Sequence, residues 1–239
     1  MSDHLKTLPR LPFTSADPAP DHAPSPVNYS TMAPEDTRAS FMKIPWAANL
    51  LSKPNTITRV PGSRHPKAST EDSLFAETLR SQRTFRNCIS CYKRPSQTDE
   101  KIEEVSTLIT IGDGLNGHPG ILHGGIIAAI IDEAMGILQS ANHERDHMLR
   151  VGKGQAQGEL PPHGIGTFTA YLNVKYLKPV HTPDSLVCTA RYTRREGRKE
   201  WIGAEIRQFV AHGEEEWEEV VCASGEGLFV EPKPKASKL

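Results

Sequence analysis

Four cysteines in 239 residues are too few to staple a disulfide scaffold, and a cytosolic setting would keep them as thiols. Two of them, Cys88 and Cys91, form a lone C-x-x-C inside "FRNCISCY". No second pair follows at zinc-ribbon spacing and the stretch alternates like a strand, so both read as strand cysteines. An excess of charge is also lacking: the net value is −1, which leaves no basic field for nucleic acid or an anionic membrane. No apolar run reaches the length of a membrane span, and the apolar helix expected at 124–139 is too short. "MSDHLKTLPRLPF" has no apolar signal core, and Asp3, Asp17 and Asp21 weaken a mitochondrial transit reading. A cytoplasmic location is the expectation, with mitochondria as the alternative.

What is present is unevenly spread. Residues 1–70 hold eleven of the nineteen prolines, so this stretch cannot build a core alone and reads as an arm, partly disordered or packed on the domain. One apolar island, "SFMKIPWAANLL" at 40–51, suits packing on a folded domain through Phe41, Ile44, Trp46 and Leu50. Residues 71–232 form the domain and 233–239 a disordered tail. Thr70 reads as the N-cap of a short helix, "EDSLFAETLRSQ". Strand-like runs follow at 85–94 and 103–112, then the apolar helix, then a polar loop at 142–163. Four more strand-like runs, at 166–177, 185–194, 200–211 and 217–230, are separated by "KPVHTPD", "REGRK" and "HGEEE" and predict a meander. A helix buried on every side must be wrapped by the sheet. The fold class is therefore α+β, a curled antiparallel sheet around one long central helix (the hotdog arrangement), whose edge strands invite a second copy.

Within that order, "PGILHGGIIAAIIDEAMG", "TAYLNVKYLKPV" and "REGRKEW" resemble the hotdog-fold acyl-CoA thioesterases, in the branch of thioesterase superfamily member 4. The resemblance covers about residues 71–230. It implies hydrolysis of an acyl-CoA or acyl-carrier thioester, with coenzyme A as part of the substrate, no metal and no other cofactor. It also implies a homodimer or dimer of dimers.

The residues can be read for that chemistry. Gly124 and Gly125 open the helix, where N–H groups lack helical partners and the dipole is positive. Glycine lets a thioester oxygen approach that backbone, which is oxyanion-hole work; the bland alternative is a tight turn into a crowded helix. Asp132 lies seven residues beyond Gly125, on the same face but about 10 Å further along the axis. One helix cannot present both to one carbon. Two helices antiparallel across a dimer can, so the site is expected to be shared. Asp132 would activate water as a base or attack directly; a buried structural acid is the alternative. Glu133 points about 100° away round the helix and reads as structural. His123 reads as orienting the turn at the substrate's edge.

The resemblance assigns Thr169 to holding the water or the acid, against an ordinary strand threonine. The turn at 197–199 supplies Arg198 and Lys199 as phosphate contacts for coenzyme A, with Arg191, Arg194 and Arg195 nearby; a solvated hairpin tip is the alternative. "HERDH" at 143–147 satisfies H-E-x-x-H, the pattern of a zinc hydrolase, with Glu159 or His163 as third ligand. Its polar, Gly-rich surroundings read as a loop with no apolar face to anchor a helix. Two alternatives therefore stand beside a thioesterase: that zinc hydrolase, and a non-catalytic acyl-binding module.

Overall fold

The computed structural model describes residues 34–96, 101–158, 166–213 and 216–233, all within the unit Met32–Leu239. Two short helices open it, α1 (Pro34–Phe41) and α2 (Pro45–Leu51). Pro45 starts α2 where its missing N–H would lack a helical partner anyway. Strand β1 (Thr56–Arg59), a 3-10 turn (Gly62–Arg64) and one π-helical turn (Leu74–Thr78) follow. Strands β2 (Phe85–Lys93) and β3 (Glu104–Ile111) come next, then a small hairpin of β4 (Asn116–His118) and β5 (Ile121–Leu122). The long helix α3 (Gly124–Gly152) precedes β6 (Phe168–Tyr176), β7 (Asp184–Glu196), β8 (Lys199–Ala211) and β9 (Trp217–Val230).

Seven strands form one antiparallel sheet in the order β1-β2-β3-β7-β8-β9-β6. One face wraps α3, whose Ile130, Ile131, Met135 and Leu138 are fully buried. Burying each such side chain contributes about 1.5–3 kcal/mol. The hotdog arrangement expected from the element order is the arrangement observed.

Three local expectations differ. The last four strands are not a simple meander: β6 pairs with β9 at the far edge, and β7 sits between β3 and β8. Burial explains it, because Ser185–Ala190 of β7 are buried on both faces while β6 is largely exposed, as central and edge strands should be. Second, α3 runs to Gly152 and has 29 residues, so much of the expected loop is helix. By length and composition α3 could cross a bilayer; here it is the core helix inside the sheet. Its polar second half is held by tertiary partners: Asn142 exchanges two 2.9 Å hydrogen bonds with the backbone of Ile102, and Arg59 pairs with Glu144. Third, Thr70 does not cap a helix; its φ is +65° and the segment makes one π turn.

The apolar island, the end of α1 and all of α2, lies on the sheet face away from α3. There Phe41, Trp46 and Leu51 pack on Ile89, Leu108 and Val187, and Trp46 stacks on Phe209 at 4.3 Å. The arm helices therefore do not cover the α3 side. The same alternation separates the two cysteines of "CISC": Cys88 joins the α3 core and Cys91 the layer under α2.

Close approach of α3 to the sheet depends on glycine in β9. A Cβ on Gly225 would lie 2.7 Å from Ile131 Cγ2 and 3.2 Å from the Asn173 carbonyl. Both neighbours are fixed, one by branching and one by the sheet. Gly225→Ala should lower unfolding free energy by about 1–3 kcal/mol, read by urea titration; an unchanged midpoint would show that α3 is free to shift.

Candidate active site

The chain enters α3 through His123, held in extended backbone by its N–H bond to Leu115 O at 2.9 Å. His123 Nδ1 accepts from the Gly125 N–H at 3.0 Å, and its carbonyl accepts from Ile126 and Ile127. His123 is thus an N-cap, and a ring protonated at Nδ1 could not fill that role. Gly125, expected among the substrate contacts, has its amide occupied by His123. The Gly124 N–H, by contrast, has no hydrogen-bond acceptor among the described residues. It is the donor left for an oxyanion at the positive end of the helix. Tyr176 borders it, donating to Gly124 O at 3.1 Å. This residue was not singled out in the sequence; its position at the end of the strand after α3 was the available signal.

Asp132 lies eight residues after Gly124, about 12 Å along the axis. Thr169 Oγ1 donates to Asp132 Oδ1 at 3.0 Å, which leaves Oδ2 for a water. Burial raises the Asp132 carboxyl above its usual range, and the Thr169 hydrogen bond opposes the rise. Thr169 is thus brought to the acid by β6, the edge strand. Phe168, Tyr171, Tyr176 and Leu177 stand exposed on or beside that strand.

Glu133 faces another element. Its Oε1 is shut off from solvent without a hydrogen-bond partner, as is Ser63 Oγ in the 3-10 turn. Burial pushes the carboxyl up to about 7; Ser63 and Arg64 pull it down, Asp72 and Asp132 push it further. Ser63 is close enough to act, yet its Oγ lacks hydrogen-bond geometry, so burial dominates. Glu133, Ser140 and Glu144 share one face of α3, and Glu144 receives Arg59 and Ser140. Residues 59–64 thus cross a polar stripe of α3.

The basic hairpin is largely matched within the chain. Gly197, at φ +56°, makes its turn. Arg194 lies over Trp201, Arg195 over Tyr192 and beside Glu103, and Arg191 reaches Glu104. Arg198 donates to the Glu231 carbonyl. Register aligns Lys199 with Val230 and Phe168, and Glu200 with Phe229 and Thr169. Lys199 therefore shares the sheet end with Thr169 but projects from the opposite face.

"HERDH" lies on α3, not in a loop as expected. Glu144 is engaged by Arg59, and His147 Nε2 lies 3.1 Å from Gly158 O. Among the described residues no group of three or more His, Cys, Asp and Glu is placed to hold a metal; Glu159 and His163 lie outside them.

A long helix wrapped by a curled sheet, with a free amide at its head and an acid against the edge strand, defines a hotdog α+β protein. Residues 119–208 match the family model of the Thioesterase superfamily. It is 28% identical over 131 residues to verlamelin biosynthesis protein B of Lecanicillium sp., covering 49% of this chain and 57% of that protein. It is 26% identical over 126 residues to the acyl-coenzyme A thioesterase THEM4 of Bos taurus, covering 53% and 40%. The chain thus spans about half the length of these curated relatives. Among solved structures it is similar to a Streptococcus mutans protein bound to acetyl-CoA (14% identity, TM-score 0.39, 55% and 82% covered). It is also similar to an acyl-CoA hydrolase of Staphylococcus aureus (18%, TM-score 0.40, 54% and 67%).

The Glu133 carboxyl makes stability depend on pH. Its folded value, about 7, lies above the ordinary 4.5, so its contribution is full below pH 4.5 and is lost as pH rises through 7. The total is on the order of 3 kcal/mol. Glu133→Gln should flatten that decline in urea unfolding between pH 5 and 8; parallel profiles for the two proteins would contradict the burial argument.

Proposed function

We propose that this protein hydrolyses an acyl thioester carried on coenzyme A or a carrier protein, in a site completed by a second copy of the chain. The observation that carries the reading is the pairing of a Gly124 N–H unpartnered among the described residues with Asp132, about 12 Å along the same helix and held by Thr169 of β6. An antiparallel partner would place its Gly124 beside this Asp132. β6 supplies the surface, since it is an edge strand with one side unpaired among the described residues and apolar side chains exposed.

In the reaction, the Gly124 N–H of one subunit donates a hydrogen bond to the thioester oxygen as negative charge develops on it. The partner's carboxylate takes a proton from water, and the resulting hydroxide attacks the carbonyl carbon. The tetrahedral intermediate collapses, the C–S bond breaks, and the thiolate leaves with the proton the acid had taken. Thr169 holds the carboxylate so that its second oxygen meets the water. No resident metal or cofactor enters this scheme. Because α1 and α2 occupy the outer face over β2, β3 and β7, a dimer of dimers would dock elsewhere.

Thiol release from short, medium and long acyl-CoAs should be lowered about 10²–10⁴-fold by Asp132→Asn; equal rates would remove Asp132 from the mechanism. The base must be ionised, so activity should fall on the acid side, and Thr169→Val, which removes the opposing hydrogen bond, should move that limb to higher pH. Gly124→Pro deletes the amide hydrogen at a position where proline fits a helix. Each variant alone should be inactive. Mixed and reassembled, Gly124→Pro and Asp132→Asn chains should recover up to about a quarter of wild-type activity, because half the dimers carry one intact shared site. No recovery in verified heterodimers would place the site within one chain.

A further inference from the structure

A cavity of about 490 Å³ opens between the end of α2 and the ends of β1, β2 and β3. Three strands separate β3 from β6, so about 19 Å of sheet lies between the cavity and the Asp132–Thr169 edge. Its size falls in the range of small-molecule pockets. Its apolar lining includes Leu50, Pro54, Cys91 and Ile102, while Lys53, Lys93, Arg94 and Lys101 line it with charge. Glu103 and Glu104 also contribute, but each is matched from β7: Arg195 lies 3.3 Å from Glu103 and Arg191 3.7 Å from Glu104. No carboxylate among the described residues lies within ion-pair distance of the four cations. Among the described residues, the cavity thus joins an apolar wall to cations with no carboxylate within ion-pair distance, one of them a planar guanidinium that suits a carboxylate fork.

We infer that this cavity binds an amphipathic carboxylate, a free fatty acid, with its head group at Lys53, Lys93 and Arg94 and its chain against Leu50 and Ile102. An inorganic anion would leave the apolar wall unused, and a neutral lipid would leave the cations unmatched. The inference does not require the chain to be a thioesterase.

The test is photo-crosslinking of the full chain with a dodecanoic acid bearing a diazirine at its tail, followed by peptide mapping. Label is expected within residues 50–56, 91–96 or 101–106. Dodecanoate should compete it away, while dodecanol and inorganic phosphate should not. Lys53→Glu with Lys93→Glu, both exposed positions, should cut this label about tenfold with an unchanged melting temperature. Asp132→Asn should leave it intact whatever happens to hydrolysis. Label confined to other peptides, equal competition by dodecanol or phosphate, or insensitivity to the charge reversals would each overturn the assignment.

Discussion

Everything in this structure depends on enclosing α3. The helix carries Ile, Leu, Met and Ala around most of its first half, and no single flat surface could bury it. The sheet therefore curls, and it comes close because β9 carries no side chain at Gly225 and Gly227, where Ile131 and Met135 press in. Large side chains there would hold the helix off and open voids that cost stability.

The same enclosure separates two neighbouring acids. At 100° per residue, Asp132 and Glu133 cannot share an environment. Asp132 meets the edge strand and its threonine hydroxyl, at a margin where a partner can approach. Glu133 turns towards the 3-10 segment, and its Oε1 is cut off from water. One acid is thus held by a donor, and the other keeps a buried oxygen without one. That contrast divides a candidate catalytic group from a group whose protonation bears on stability.

Polar groups along the rest of α3 are handled locally. Asn142 satisfies both backbone groups of Ile102, Glu144 meets Arg59, and His147 meets Gly158 O. These contacts let a sequence as polar as "NHERDHMLR" continue a core helix. They also occupy Glu144 of the H-E-x-x-H pattern, whose helical setting is real but whose acid is engaged in an ion pair.

How much was legible follows from what each signal measures. Alternation and apolar runs report local periodicity, so β2, β3, β6, β7, β8, β9 and the start of α3 were readable, and with them the wrapped-helix class. The spacing of Gly124 and Asp132 was readable because helix rise is constant. Thr169 as the acid's neighbour came from resemblance, and the 3.0 Å contact is a matter of tertiary structure. Strand order, the reach of α3 to Gly152, the seat of α1 and α2, and the occupation of the Gly125 amide by His123 were not readable. Each depends on a partner distant in the chain or on the direction of one side chain, and periodicity carries no information about either. The sequence by itself determined which segments needed burial and where a donor and an acid would stand along one helix. Only the tertiary structure decided which face each acid meets, because that is set by what packs there.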